Sequence, residues 1–219
     1  VESMRVVTPV GVSESWRLPG SGAGPSPDRL FLGSEGILGV ITEAWMRIQD
    51  RPTHRRSASV RFGQVADAMQ AVRAVAQSGL HPSNCRLLDP GEAALSGVVS
   101  DGSSVLVLGA ESAHHPVDDV VEQLVAIARD HGGTPAPTGG SSPEDPGRDE
   151  AADAWRSAFL RMPYVRDGMA RMSALAETFE TACTWDQVEA LYHDVHDRLD
   201  EAIRSVTGAP GLVTCRFTH

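Results

Sequence analysis

The sequence has few cysteines and fewer basic than acidic residues. Its 219 residues include 3 cysteines, which lie far apart, form no C-x-x-C pair and leave one thiol over in any disulfide scheme. This pattern favours buried thiols in a reducing, cytoplasmic compartment. Lys and Arg number 19 against 29 Asp and Glu, a formal net charge of −10. A phosphate backbone would be repelled by such a surface, so we predict no nucleic-acid partner.

Long hydrophobic runs are also lacking. No apolar stretch approaches the roughly 20 residues that a membrane span needs, so we predict no transmembrane segment. Hydrophobic residues make up 41% of the chain and charged residues 22%, a balance typical of a globular protein. The chain opens without an initiator Met and closes on a strand-like run, and we therefore interpret it as a fragment of a longer protein.

Two regions differ in composition. Residues 1–50 are rich in glycine and proline, whereas later residues alternate between strand and amphipathic helix patterns. We predict strands at 57–62, 85–88, 104–109, 175–183 and 212–219, and helices at 65–75, 117–127, 149–160 and 186–206. Pro163 should stop the third helix and Gly208 the fourth, while residues 132–149 should form a flexible loop. The predicted fold is α+β, with helices on one face of an antiparallel sheet.

A short segment carries three glycines at intervals of three, Gly33, Gly36 and Gly39. Such backbone approaches a flat ligand closely or adopts positive φ, and Ser34 and Glu35 add polar side chains between the glycines. The segment has neither the lysine of a phosphate loop nor the G-x-G-x-x-G of a dinucleotide fold. Spacing alone therefore favours a structural turn.

The exact residues of this segment are more specific evidence for a protein family than the spacing of its glycines. Residues 18–44 contain G-S-E-G-I-L-G-V-I-T-E, and further phrases follow at 82–89, 163–167, 177–186 and 214–219. Together they resemble the FAD-linked oxidases related to vanillyl-alcohol oxidase, and within that family the alkyldihydroxyacetonephosphate synthase branch. The resemblance covers nearly the whole chain, although Ile37 stands where threonine is commoner.

The resemblance implies an FAD enzyme in two parts. Residues 1–50 would be the C-terminal tail of the FAD-binding domain and residues 51–219 a ferredoxin-like cap domain over the substrate. The flavin would lie against Gly33, Ser34, Glu35, Gly36, Ile37, Leu38, Gly39, Val40 and Ile41. The family's diphosphate-binding subdomain would precede this chain, and its catalytic tyrosine and histidine cluster would follow it. We therefore expect the chain alone to bind FAD weakly and to show no turnover.

Two arginines are candidates for binding the substrate. The resemblance gives this role to Arg166 in Pro-Tyr-Val-Arg-Asp, and a guanidinium suits a phosphate or carboxylate because it donates two parallel hydrogen bonds. The alternative is a salt bridge to Asp167 or to a nearby acid. Arg86 is the second candidate, and its alternative role is to hold Asp89 or a neighbouring loop in place.

The function implied is exchange of an acyl for an alkyl chain on dihydroxyacetone phosphate, as in ether lipid synthesis. The second hypothesis is an FAD-dependent oxidase or dehydrogenase of a 2-hydroxy acid or alcohol, and the third is a non-catalytic α+β binding domain. The expected partners are a small-molecule or lipid-linked substrate and a second copy of the chain.

A metal site is a further hypothesis, because Glu189, His193, His196 and Asp200 share one helix face. A solvated polar surface explains that face without a metal, and no H-E-x-x-H pattern supports one. We therefore predict that the chain binds no metal. The role of His219 stays open.

Overall fold

A computed structural model describes residues 1–18, 24–136, 141–142 and 145–218, with only the backbone described at 141–142 and 145–150. The chain divides into two units, Val1–Arg51 and Pro52–His219.

The first unit is built on a three-stranded antiparallel sheet. It contains β1 (Ser3–Thr8), β2 (Gly11–Glu14), the short helix α1 (Asp28–Phe31) and β3 (Val40–Trp45). The strand order is β2-β1-β3. Alternate residues of β1 supply the buried side chains Met4 and Val6, as the period of two in a strand requires.

The second unit contains a five-stranded antiparallel sheet with helices between its strands. In chain order its elements are β4 (His54–Phe62), α2 (Val65–Gln77), β5 (Asn84–Leu88), α3 (Pro90–Leu95), β6 (Ser104–Ser112), α4 (Asp118–Asp130), β7 (Thr134–Pro135), β8 (Ser141–Ser142), β9 (Asp145–Asp149), α5 (Glu150–Arg171), α6 (Val188–Thr207) and β10 (Arg216–Thr218). The order in the large sheet is β10-β5-β6-β4-β7. Strands β4, β5, β6 and β7, together with helices α2 and α4, have the ferredoxin-like β-α-β-β-α-β arrangement. The predicted α+β fold class is therefore confirmed.

One face of this sheet forms the main core with α2 and α4. The apolar positions of α2 recur at helical spacing, and those of β4, β5 and β6 alternate along each strand. The buried members include Val60, Phe62, Met69, Val72, Val75, Leu87, Leu106, Leu108 and Leu124. The sequence predicted all five of these elements, because each has one strongly apolar face or is apolar throughout.

The opposite face of the sheet is covered as well. Leu88, Val105 and Val107 pack with Ala152, and Trp155 of α5 contacts the same cluster. The prediction put helices on one face only. α5 lies on the second face because its first turns carry Ala152 and Trp155 on one side.

Three sequence predictions are wrong, namely one strand, the end of one helix and the length of the final strand. Residues 175–183 form no strand and have mostly exposed side chains, because nothing in the described chain pairs with this segment. Pro163 does not stop the third helix but lies inside α5. The final strand comprises only Arg216–Thr218 of the described residues, and His219 lies outside them.

Helix α6 ends where the sequence predicts. Gly208 takes the left-handed C-cap conformation at φ 74° and its N–H donates to the carbonyl of Arg204, a conformation that glycine adopts without strain. The apolar stripe of Leu191, Val195, Leu199 and Ile203 is only half-buried. Of this helix, Val188 alone is buried.

The predicted loop at 132–149 contains β7, β8 and β9, and β7 pairs with β4. Residues 137–140 and 143–144 lie outside the described part of the chain. The flexibility of this segment stays a prediction.

The three thiols differ in exposure, which corrects the expectation that all are buried. Cys85 is buried, Cys215 is half-buried and Cys183 is exposed. Burial raises the pKa of Cys85 to about 12 and, together with Asp89 and Glu92, that of Cys215 to about 11.

We expect one fast and two slow thiols when the folded chain meets a disulfide reagent at pH 8. The thiolate is the reactive form, so Cys85 and Cys215 should react at least about tenfold more slowly than Cys183. Absorbance of the released thiolate measures this, and Cys183→Ser should remove only the fast phase. A single phase in which all three thiols react at the same rate would contradict the burial of Cys85 and Cys215.

Candidate functional site

The glycine segment of the first unit forms an open left-handed turn. Gly33, Glu35 and Gly36 have φ of 81°, 50° and 86°. No atom lies within 4 Å of a Cβ built on Gly33 or Gly36. Glycine is therefore required at 33 and 36 by the backbone conformation, and the space beside the turn is open to a ligand.

Gly39 lies against the first strand of its own unit. A Cβ built there would lie 2.6 Å from the carbonyl oxygen of Val7, and Val7 pairs with the neighbouring Val40. The close approach at Gly39 is to the chain's own strand β1.

Exposed apolar side chains flank the turn. Ile37 is 83% exposed, and Leu38, Val40 and Ile41 are exposed as well. An open turn beside an exposed apolar surface fits the flat ring system of a flavin.

In the second unit, Arg86 lies on β5 beneath an aromatic ring. Its guanidinium carbon is 4.0 Å from the ring centroid of Trp155, a separation typical of a cation–π contact. Its Nε is buried and has no hydrogen-bond partner among the described residues. The pKa of Arg86 is lowered mainly by burial and to a smaller extent by the positive charge of Arg216.

A second arginine and a second ring extend this arrangement. The guanidinium carbon of Arg216 lies 5.6 Å from the Phe159 centroid, and the Trp155 and Phe159 rings stack at 5.4 Å. Arg216 also forms an ion pair with Glu92 at 3.6 Å. We call Arg86, Arg216, Trp155 and Phe159 the arginine–aromatic layer.

A groove of about 390 Å³ adjoins this layer between the sheet and α5. It combines guanidinium groups, neutral polar groups and aromatic surface, which suits a ligand with both anionic and apolar parts. Two of its arginines are paired, Arg55 with Glu111 and Arg56 with Asp118. The lining residues are Arg55, Arg56, Ser57, Ser83, Asn84, Gly109, Ala110, Glu111, Ala152, Trp155, Arg156, Phe159 and Leu160.

Arg166 lies outside the arginine–aromatic layer. It follows Trp155 by eleven residues and Phe159 by seven in α5, so the helical period puts the three on one side of the helix. Its side chain is exposed. No ion pair joins it to Asp167 or to another described acid, so the proposed salt bridge is absent.

The alternative role of Arg86, holding Asp89, is wrong. The buried Asp89 carboxylate accepts hydrogen bonds from the N–H of Glu92 at 2.7 Å, the N–H of Cys215 at 2.9 Å and the hydroxyl of Tyr192 at 3.1 Å. His196 Nε2 lies 3.4 Å from the same carboxylate. His196 therefore faces a buried acid, where the sequence predicted a solvated surface.

Burial raises the pKa of Asp89, although its hydrogen bonds act in the opposite direction. The pKa of Tyr192 is raised mainly by burial and to a smaller extent by the charge of Asp89. The sequence held one weak signal of this cluster, the spacing of Tyr192 and His196 by one helical turn.

The raised pKa of Asp89 predicts a pH dependence of stability. A carboxyl that binds its proton more tightly in the folded state makes the free energy of unfolding fall as pH rises from its ordinary pKa of 3.8 to the raised value. The stability difference between wild type and Asp89→Asn should therefore shrink across that window. Urea unfolding from pH 3.5 to 7 measures it, and a difference that grows with pH would contradict the prediction.

Among the described residues, no three His, Cys, Asp or Glu side chains lie close enough together to hold a metal ion. None of the described helices is long and apolar enough to cross a membrane.

Comparison with known proteins places these features in a family. Residues 51–219 match the family "FAD linked oxidases, C-terminal domain". Alkyldihydroxyacetonephosphate synthase of Trypanosoma brucei brucei is 26% identical over 99% of this chain and 38% of its own length. The mitochondrial D-lactate dehydrogenase (cytochrome) of Arabidopsis thaliana is 43% identical over 41% of this chain and 16% of its own.

The fold agrees with this match. A solved alkyldihydroxyacetonephosphate synthase structure superposes with a TM-score of 0.73 and 23% identity, over 100% of this chain and 41% of that one. The chain thus spans about two fifths of the length of such relatives. Because the family match covers most of its residues, the chain belongs to the FAD-linked oxidases and carries their C-terminal domain.

Proposed function

We propose that this chain supplies the substrate side of an FAD enzyme that exchanges an acyl for an alkyl chain on dihydroxyacetone phosphate. The observation that carries the proposal is Arg86, a half-buried guanidinium whose Nε has no hydrogen-bond partner among the described residues. A buried donor without a partner costs free energy. The two terminal nitrogens of the same guanidinium are not among the buried atoms without a partner, and they would donate to a phosphate oxygen on the substrate.

Each group of residues has a defined part in this proposal. Gly33, Gly36 and the exposed Ile37 would hold the flavin ring, and FAD when bound supplies the electron-accepting ring system on which the reaction depends. Arg86 would bind the phosphate, with Trp155 over one face of its guanidinium. Arg166, about three helical turns further along α5, would be the alternative binding residue for that anion. Orientation by such groups lowers the barrier by fixing the reacting parts.

The relatives support this exchange over the alternative. The synthases of Trypanosoma brucei brucei and Dictyostelium discoideum each match 99% of the chain. One observation favours the second candidate, an oxidase or dehydrogenase of a 2-hydroxy acid, namely the higher local identity to D-lactate dehydrogenase. In that reaction Arg86 would hold a carboxylate.

The complete FAD enzyme, with this chain joined to the parts that the resemblance places before and after it, tests the choice. We expect it to convert an acyl dihydroxyacetone phosphate and a fatty alcohol into the alkyl product and a free fatty acid without net reduction of the flavin. Anaerobic addition of D-lactate or glycolate should leave the flavin absorbance unchanged. Flavin bleaching by either acid, with no alkyl product, would overturn the exchange in favour of the second candidate.

The remaining predictions on partners and location rest on the same proposal. The substrate is a small or lipid-linked molecule, nucleic acid is not a partner, the protein is cytoplasmic, and a second copy of the chain is its expected partner. The assignment of residues 1–50 to the FAD-binding domain and 51–219 to the cap belongs to this proposal too.

A further inference from the structure

The Asp89 carboxylate joins three separate parts of the second unit. One oxygen accepts the N–H of Glu92 at the start of α3. The other accepts the N–H of Cys215, just before β10, and the hydroxyl of Tyr192 on α6. Its side chain is only 2% exposed, so water does not compete for these bonds.

Strand β10 depends on this residue more than a longer strand would. It has three residues and pairs with β5 alone in the described sheet. Asp89 exchanges two hydrogen bonds with Cys215, because its own N–H also donates to the Cys215 carbonyl at 3.0 Å. Beside them, the Thr214 hydroxyl donates to Glu92 at 3.0 Å.

The position of β10 decides where the second arginine lies. Arg216 pairs with Leu88, and Thr218 pairs with Arg86, so a strand in this register keeps Arg216 on the same sheet face as Arg86. A loosened β10 would let Arg216 move away and would leave the Arg86 charge alone beneath Trp155.

We propose that Asp89 is a positioning residue, whose carboxylate fixes β10 on β5 and so holds Arg216 beside Arg86 for the substrate anion. The inference rests on the proposed anion-binding role of Arg86. It assigns no chemical step to Asp89, which touches neither cofactor nor substrate.

Asp89→Asn tests this role, because an amide has one acceptor oxygen and cannot accept all three donors. We expect amide hydrogen exchange at 215–218 to rise about tenfold or more while β6 and α2 stay protected, since local opening is separable from global unfolding. The dissociation constant for inorganic phosphate, followed by NMR, should rise about three- to tenfold as one of two charges is displaced. A merely stabilising residue would raise exchange throughout the sheet.

Tyr192→Phe is the second variant and keeps the inference testable if Asp89→Asn does not fold. It removes one donor to Asp89 and should shift both measurements in the same direction by about two- to threefold, the effect of one hydrogen bond. Unchanged phosphate affinity in the folded variants, with wild-type binding lost in Arg86→Lys, would overturn the positioning role and leave the proposed function standing. No phosphate binding by wild type would overturn both.

Discussion

Leu106→Ala is expected to lower the free energy of unfolding of the second unit by about 2 to 5 kcal/mol. Leu106 lies on the central strand β6, opposite Leu87 on one side and Val60 on the other. Its exposure is 0%. The loss combines the transfer free energy of the removed methyl groups with the cavity that a close-packed interior cannot fill.

Urea unfolding of wild type and variant measures this loss. Leu212→Ala is the matched control, because Leu212 is 68% exposed and such a surface change stays within about 0.5 kcal/mol. Equal losses at the two positions would contradict the core as described.

Arg86→Lys is expected to lower kcat/KM of the complete FAD enzyme that contains this chain by about 100-fold, the range for a partner lost from a buried charge pair. Lysine keeps the charge but presents a single ammonium in place of a planar guanidinium, so it loses the parallel hydrogen bonds and the contact with Trp155. FAD content should be unchanged, since Arg86 lies in the second unit and the predicted flavin contacts lie in the first.

Two further arginine variants separate the candidate roles. Arg198→Lys is the control, because the Arg198 side chain is 81% exposed and forms only an i,i+4 pair with Asp194. Arg166→Lys should lower kcat/KM as well if its exposed guanidinium meets the anion. An unchanged value for Arg86→Lys, with a large loss for Arg166→Lys, would move the substrate site along α5.

The sequence predicts the ferredoxin-like part of the fold because its elements carry strong periodic patterns. The apolar alternation of β4 and the 3.6-residue stripes of α2 and α4 depend on local spacing alone. Residues 175–183 are predicted as a strand but find no partner strand among the described residues, and pairing is a long-range property. Pro163 does not end the helix. It lies inside α5, which continues to Arg171 although proline has no N–H to donate within a helix.

The candidate site is predicted less completely, for the same reason. The resemblance points to Arg166, and Arg86 is the second candidate, whereas the surroundings of both side chains depend on contacts that are distant in sequence. Asp89 binds the N–H of Cys215 across 126 positions of sequence, and no local pattern reports such a pair. The sequence predicts a solvated His196 because helical periodicity shows which residues share a face but not which acid that face meets.

The most direct test of the account is an NMR titration of the Arg86 Nε–H signal with glycerol 3-phosphate. We predict a saturable shift of this signal, a smaller one at Arg216, and loss of binding in Arg86→Lys but not in Arg198→Lys. A saturable response elsewhere in the protein, with the Arg86 signal unmoved, would contradict the claim that this guanidinium binds the substrate anion.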